Sequence, residues 1–350
     1  MRNVGNPHRH GRRLAPQAPY PSVRQDRVAA LLDACPAHAE TPLIDAASLA
    51  RSAGISALWV KDERRRMGLG SFKALGAAYA IARQAVDVAA EPDGTTLAGR
   101  TYVAASAGNH GLSVAAGARV FGADAVIYIA DAVPEEFAAR LQAQGAKVRR
   151  QGADYAGSMV AAQKAAAENG WVLLSDSSWP GYIDLPLLVM EGYLQLAAEA
   201  TRQCPGIPTH VLVQAGVGGL AGAVAAHLRQ VWGDAPRIVV VEPENAPALQ
   251  ASIEAGRCVT APGPDSIMGR LDCKEPSLIA LNGLARDADM FLTLGDQEVA
   301  DCLPALAGAG LETTPSGGAG AAACLISQTR EGTGMGPDAQ VLAVLSEAPL

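Results

Sequence analysis

Short apolar runs alternate along the chain with longer segments in which small and apolar residues recur at helical spacing. Runs typical of buried strands include Tyr102–Ala105, Ala125–Ile129 and Ile238–Val241. Each of these runs is followed by a turn and then by a longer helical pattern. The repeated order of strand, turn, helix and strand predicts parallel sheets with helices on their faces, which is an α/β fold.

The same alternation predicts two doubly wound domains, the smaller inserted in the larger. A large domain is expected at 26–80 and 186–350, because strands near 58–61, 238–241 and 341–344 should share one sheet. A small domain is expected at 81–185. Residues 1–25 are predicted to form an arm that is loose or lies across a partner subunit. An export signal is rejected because prolines interrupt every apolar stretch of this arm.

Composition limits the possible functions. The chain has 350 residues, of which 49% are hydrophobic and 18% are charged, and this predicts a large core. A net charge of −7 argues against a nucleic-acid surface. No apolar run reaches the roughly 18–20 residues that a membrane span needs. Six scattered cysteines lack metal-ligand spacing, so we expect free thiols in a reducing cytoplasm and no metal site. The arginine triplet Arg64–Arg66 is interpreted as a solvated turn.

The stretch Gly68–Tyr79 places Lys73 where a glycine-containing loop becomes an apolar helix. The positive end of a helix disfavours a cation in its first turn. A lysine with a destabilised ammonium form loses its proton more easily and becomes a nucleophile. Lys73 is therefore a candidate for a covalent imine with a carbonyl cofactor. The alternative is a surface lysine beside a glycine turn.

A second glycine-containing loop, Gly216–Leu220, follows an apolar strand and precedes a helix. Successive amides at a helix N-terminus bind anions, and a phosphate is the natural occupant. A dinucleotide-binding dehydrogenase also uses such a turn, although Glu242 is the only other feature of that class. A plain tight turn is the remaining alternative.

One further segment and two further residues are candidates for binding or catalysis. Ser106–Gly111 follows a strand with small residues that expose amides to a crevice. Ser316 begins a helix, where an N-cap role is the alternative. Asp176 follows a strand, where its carboxylate could instead cap the next turn.

The segment around Lys73, together with the three later motifs from about 41 to 345, resembles the fold type II, tryptophan-synthase-β-like family of pyridoxal-phosphate enzymes. The resemblance implies an imine at Lys73, with Phe72 beside the cofactor. It implies that Asn109 bonds the phenolic oxygen and Ser316 the pyridine nitrogen. Phosphate binding is implied for Gly216, Val217, Gly218, Gly219 and Leu220, and binding of the substrate carboxylate for Ser106, Ala107, Gly108 and His110.

Two stretches, Ser175–Tyr182 and Asp272–Ser277, resemble the diaminopropionate ammonia-lyase branch of this family. Asp176 then matches a catalytic aspartate and is the candidate acid for the leaving group. The resemblance implies an α,β-elimination that yields a 2-keto acid and ammonia from a small amino acid, in a cytoplasmic homodimer.

The chain departs from that branch at Ala107, where the ammonia-lyases carry a second aspartate. Ser106-Ala107 is instead the pattern of the hydroxy-amino-acid dehydratases. A serine, threonine or aryl-hydroxy-amino-acid dehydratase is therefore the alternative within the enzyme class. A non-catalytic ligand-binding protein and a nucleotide-dependent dehydrogenase are the alternatives outside it.

Overall fold

The computed structural model describes residues 2–349. Its strands are β1 (Arg2–Gly5), β2 (Leu43–Asp45), β3 (Ala57–Asp62), β4 (Thr101–Ala105), β5 (Asp124–Ile129), β6 (Lys147–Arg150), β7 (Val172–Leu173), β8 (His210–Gln214), β9 (Arg237–Pro243), β10 (Met290–Leu294) and β11 (Gln340–Leu345). Its helices are α1 (Gln25–Leu32), α2 (Ala47–Ala53), α3 (Lys73–Val88), α4 (Asn109–Val120), α5 (Glu135–Ala143), α6 (Tyr155–Asn169), α7 (Asp184–Gly192), α8 (Leu194–Gln203), α9 (Gly219–Trp232), α10 (Ala248–Ala255), α11 (Leu278–Asp287), α12 (Asp296–Gly308), α13 (Pro315–Leu325) and α14 (Ser327–Thr333). A short 3-10 turn covers Arg66–Gly68.

The larger sheet has seven strands in the order β1-β10-β9-β8-β11-β3-β2. The strands from β10 to β3 run parallel to one another. The C-terminal strand β11 lies between β8 and β3, so both ends of the chain build this sheet as predicted. The predicted α/β fold is thereby confirmed. Two antiparallel edge strands, β1 and β2, complete the sheet.

The smaller sheet has four parallel strands in the order β6-β5-β4-β7. All four strands fall within residues 81–185, and we retain as a proposal that this segment is a separate inserted domain. The carboxyl end of β4 leads directly into the turn before α4. That end of a parallel sheet is where ligands of doubly wound folds bind.

The N-terminal arm lies on its own chain, so the expectation of a loose arm is wrong. Contact of the arm with a partner subunit stays a prediction. Strand β1 pairs with the sheet edge at β10. The buried Asn282 side chain accepts from the amide of Ala15 over 2.8 Å and donates to the carbonyls of Ala15 and Ala18. Proline lacks a backbone donor, and in the proline-containing part of the arm the amide side chain of Asn282 pairs with backbone groups that form no strand.

The interpretation of the triplet Arg64–Arg66 as a solvated turn is wrong at Arg66, which is fully buried, whereas Arg65 is exposed. Its guanidinium contacts the carboxylates of Glu63 and Glu199, and Lys61 contacts Glu199 over 2.7 Å. All four side chains are fully buried. A charge run read from sequence does not reveal that Glu199, far along the chain, brings the opposite charge into the core.

The lysine helix α3 is buried and packs closely against α7. A Cβ at Gly76 would lie 2.5 Å from the ring of Tyr193, and a Cβ at Gly192 would lie 2.6 Å from the carbonyl of Leu75. Glycine at both positions therefore allows the two helices to approach. Helices α7 and α8 follow one another with only Tyr193 between them.

Candidate active site

The loop before Lys73 has an unusual backbone that the C-terminal segment holds in place. Met67, Gly68 and Gly70 all have positive φ angles, of 50°, 70° and 82°. The amide of Phe72 donates to the carbonyl of Ser346 over 3.1 Å, and the amide of Ala348 donates to Gly70 over 2.9 Å. Residues more than 270 positions apart in sequence thus fix the start of α3 and the direction of Lys73.

Lys73 and Asp176 are in contact, with Nζ donating to the Asp176 carboxylate. Burial alone would lower the pKa of Lys73, but the adjacent carboxylate outweighs it and raises that pKa. The pKa of Asp176 is correspondingly held below its usual range, because Lys73 outweighs the effect of burial. The expectation that the ammonium form of Lys73 is destabilised is therefore wrong for the chain alone. The helix dipole is a smaller effect than a carboxylate in contact.

Two aromatic rings lie beside the lysine. Phe72 and Tyr193 pack edge to face with centroids 4.9 Å apart. The Lys73 Nζ lies 5.2 Å from the Phe72 centroid and 5.9 Å from that of Tyr193. The Tyr193 hydroxyl is buried and has no hydrogen-bond partner among residues 2–349. A buried donor without a partner is costly, so this hydroxyl is suited to a ligand.

The predicted phosphate loop lies between β8 and α9, with Gly218 at a φ of 96° immediately before the helix. The first amides of α9 have no intrahelical acceptor and carry the positive end of its dipole. A Cβ at Gly216 would lie 3.0 Å from Cys273 Sγ and 3.1 Å from the Arg270 carbonyl. The glycine therefore permits a close approach of the segment 270–273 to the loop.

The two stretches that resemble diaminopropionate ammonia-lyases meet next to this loop. The hydroxyls of Ser178 and Ser277 are 2.7 Å apart, and the Ser277 amide donates to the carbonyl of Val217 over 2.9 Å. A Cβ at Gly219 would lie 3.8 Å from the Asp176 carbonyl. Asp176 is thus placed at the same end of the site as the glycine loop.

The predicted carboxylate-binding turn lies at the N-terminus of α4. Gly108 is the N-cap, and its amide donates to Ser106 Oγ over 3.3 Å. His110 is buried, and its Nε2 donates to the carbonyl of Leu174 over 2.8 Å. Burial lowers the pKa of His110, which favours the neutral form of its ring. Ala107 is half-buried and packs at the edge of the core.

A buried carboxylate, Glu347, links Asn109 to Thr314, two residues before Ser316. Asn109 Nδ2 donates to its Oε2 over 2.5 Å, and the Thr314 hydroxyl donates to its Oε1. Thr314 is the N-cap of α13, which carries Ser316 in its first turn. The Ser316 Oγ accepts from the Arg270 amide over 3.1 Å. Glu347 therefore holds the start of α13 next to α4.

Four residues at this site were missed by the sequence analysis: Tyr193, Arg270, Cys273 and Glu347. Cys273 is a single cysteine whose pKa burial raises to about 11, and it lies close enough to Asp176 for their charges to interact. Burial likewise raises the pKa of Glu347. Cys273 lies within the stretch Asp272–Ser277, whose resemblance to the ammonia-lyases could have indicated that this cysteine belongs to the site.

Glu242 does not support the dehydrogenase alternative. Its carboxylate is fully buried and accepts from the amides of Leu249 and Gln250, both over 2.8 Å. Burial raises its pKa to about 8. Because both oxygens are engaged at the start of α10, they are not available to a ribose.

The residues present fit pyridoxal phosphate. The amides after Gly218 suit its phosphate, and a neutral hydroxyl at Ser316 suits its ring nitrogen. Lys73 suits its aldehyde, since its amine lies in the site beside the rings of Phe72 and Tyr193. The assignment of each residue to its part of the cofactor remains a proposal.

The sequence is similar to those of several known proteins. The pattern of the family described as pyridoxal-phosphate dependent enzymes matches residues 35–347. A diaminopropionate ammonia-lyase of Salmonella typhimurium is 32% identical over 283 residues, covering 75% of this chain and 70% of the relative. A serine dehydratase-like protein of Mus musculus is 30% identical over 240 residues, which cover 68% of this chain and 67% of the relative.

The fold is similar to those of solved enzyme structures. Diaminopropionate ammonia-lyase of Escherichia coli, solved with an aminoacrylate–PLP azomethine reaction intermediate, superposes with a TM-score of 0.87 at 28% identity. The superposition covers 99% of this chain and 93% of that structure. Within residues 2–349, none of the helices has the length and apolar character that crossing a bilayer requires.

Proposed function

Because this chain belongs to the pyridoxal-phosphate-dependent enzyme family, we propose that it catalyses an α,β-elimination on a β-substituted amino acid. The products are a 2-keto acid and ammonia, as expected for a diaminopropionate ammonia-lyase-like enzyme. The observation that carries the proposal is the contact between Lys73 and Asp176 beside the glycine loop. One group there can take a proton from Cα while the other gives a proton to the leaving group.

The bound cofactor supplies an electron sink next to Cα. Lys73 Nζ, when neutral, is the base for the Cα proton. Asp176 is ionised while Lys73 is charged, so it is not an acid in that state. Once Lys73 loses its charge, the burial of Asp176 is no longer opposed by a cation and its pKa rises. The carboxyl can then hold a proton at Oδ2 and deliver it to the departing amine or hydroxyl.

The remaining predicted residues bind and orient. The amides at the start of α4, with Ser106, hold the α-carboxylate, and Asn109 and Ser316 hold the cofactor ring at two edges. The start of α9 holds the phosphate. Phe72 and Tyr193 cover the lysine on its apolar side and exclude water from it.

A β-hydroxy-amino-acid dehydratase is the second candidate. Ala107 favours it, because the aspartate of the ammonia-lyases is replaced by a side chain without a titratable group. The similarity to a serine dehydratase-like protein also supports it. Both candidates share the elimination chemistry and differ in the leaving group.

The test is a keto-acid and ammonia assay of the holoenzyme with L-2,3-diaminopropionate, L-serine, L-threonine and L-threo-phenylserine. We expect turnover of at least one of them. Asp176→Asn should lower kcat by about 10²–10⁴-fold while the cofactor stays bound. The exposed Asp131→Asn is the control and should leave kcat unchanged. An absence of keto acid from every substrate would overturn the proposal.

We also propose a cytoplasmic homodimer. The support for the compartment is that all six cysteines are free thiols, as in a reducing environment. The support for the dimer is the family resemblance alone. Sedimentation equilibrium of the holoenzyme tests the dimer directly.

A further inference from the structure

The Arg270 side chain lies at the site without a hydrogen bond. Its backbone amide donates to Ser316 Oγ, and its carbonyl faces Gly216. From there the side chain extends to the other end of the site, where Nε lies 4.0 Å from the position of a Cβ on Gly108. The guanidinium therefore adjoins the turn at the start of α4 rather than the phosphate loop.

Glu347 is the only charged partner of Arg270 within residues 2–349, with 3.0 Å between Nε and Oε2. That contact does not have the geometry of a hydrogen bond, and the buried Nε is left without one. Glu347 already accepts from Asn109 and Thr314, so it does not need Arg270 to be satisfied. A guanidinium has five donors in a planar fork. None of the five donates a hydrogen bond to an acceptor among residues 2–349.

We propose that Arg270 binds a carboxylate group of the amino-acid substrate at the Gly108 end of the turn. A guanidinium matches a carboxylate through two parallel hydrogen bonds. The side chain is 30% exposed, so a ligand in the cleft can reach it. The α-carboxylate is the expected occupant because the amides of Gly108 and its neighbours lie alongside. A second carboxylate on the substrate side chain would present the same chemistry.

This inference rests on the proposed function, since it takes the ligand to be an amino acid. Its test therefore uses ligands without a leaving group. L-alanine, L-alaninamide and L-aspartate are titrated into the holoenzyme, and binding is followed by the visible absorbance of the cofactor. The variants are Arg270→Gln and Arg270→Lys. Arg257→Gln, on an exposed arginine, is the matched control.

We expect Arg270→Gln to weaken L-alanine binding by about 10- to 100-fold, the effect of one lost charge-assisted pair. The affinity for L-alaninamide should differ by less than twofold between wild type and Arg270→Gln. The affinity of Arg270→Lys for L-alanine should lie between those of wild type and Arg270→Gln. A loss confined to L-aspartate would also support the proposal and would identify a side-chain carboxylate as the occupant. Unchanged affinity for both acids in the two Arg270 variants would overturn it.

The outcomes separate this inference from the proposed function. A holoenzyme that binds L-alanine through Arg270 but eliminates nothing would contradict only the proposed function. An enzyme that eliminates normally, with unchanged binding in both variants, would contradict only the role of Arg270. An unchanged cofactor spectrum in the variants before titration shows that the site itself is intact.

Discussion

The backbone amide of Arg270 donates a hydrogen bond to Oγ of Ser316 over 3.1 Å. This contact fixes the Ser316 hydroxyl as an acceptor on one side and leaves its own proton free to donate. A hydroxyl that donates to a pyridine nitrogen leaves that nitrogen unprotonated. The ring is then a weaker electron sink, which favours elimination over transamination.

Ser316→Asp tests this arrangement, because a carboxylate would hold the ring nitrogen protonated. We expect elimination to slow by about tenfold, which corresponds to roughly 1.4 kcal/mol in the barrier. Side transamination should rise, and the ratio of keto acid to pyridoxamine phosphate measures it. Ser316→Ala is the control, since it removes the hydroxyl without adding charge and should not raise transamination. An unchanged product ratio in Ser316→Asp would remove Ser316 from the site.

The alanine at position 107 predicts that the enzyme prefers L-substrates over D-substrates. An enzyme that acts on both enantiomers needs a base on each face of the cofactor, and Lys73 serves only one. Ala107 has no titratable group, and Asp176 is assigned to the leaving group. We therefore expect turnover of L-substrates and a rate lower by about 10²–10⁴-fold on D-2,3-diaminopropionate, the usual cost of a missing general base.

A keto-acid assay of both isomers measures this difference. Comparable rates on the two isomers would show that another base serves the second face. Ala107→Asp is the converse test. A gain of activity on the D-isomer would place position 107 against the substrate, and Ala107→Asn, which adds the same volume without a base, is its control.

The buried ion cluster predicts a pH dependence of stability. The Arg66 and Lys61 cations outweigh the burial of Glu199 and lower its pKa to about 2. A depressed carboxyl pKa stabilises the fold above the unfolded value, near 4.5, and this stabilisation is lost as the pH falls toward about 2. Glu199→Gln leaves the buried Lys61 without its carboxylate partner, while Arg66 keeps Glu63, so we expect a loss of about 3–5 kcal/mol at pH 7.

Urea unfolding at pH 7 and at several values between 4.5 and 3 measures this effect. The variant should lose less stability than the wild type across the acid range. Glu40→Gln is the control, because Glu40 pairs with Arg202 at the surface and should contribute under about 1 kcal/mol. Equal stability of Glu199→Gln and wild type at pH 7 would show that the cluster does not stabilise the fold.

Local patterns were sufficient to predict the parallel sheets and the loops at their carboxyl ends. The runs that became β4, β8 and β9 are short, apolar and followed by turns, so each carries its own signal. The segments at Lys73, Gly216 and Ser316 lie at helix starts for the same local reason.

Long-range contacts account for what the sequence did not predict. The pairing of Asn109 with Glu347 joins residues 238 positions apart, and Arg270 reaches the Gly108 turn from 162 positions away. The state of Lys73 also depends on such a contact, since its helix-end position suggested a destabilised cation. Asp176, a strand-end residue, reverses that effect through direct contact.

The central claim is that Lys73 forms the covalent bond to pyridoxal phosphate, and borohydride reduction followed by peptide mapping tests it most directly. We expect reduction of the wild-type holoenzyme to bleach the visible absorbance and to label the peptide that contains Lys73. Lys73→Ala should carry no label, whereas the exposed Lys164→Ala should be labelled as the wild type is. A label on any other lysine, or a labelled Lys73→Ala protein, would contradict the account.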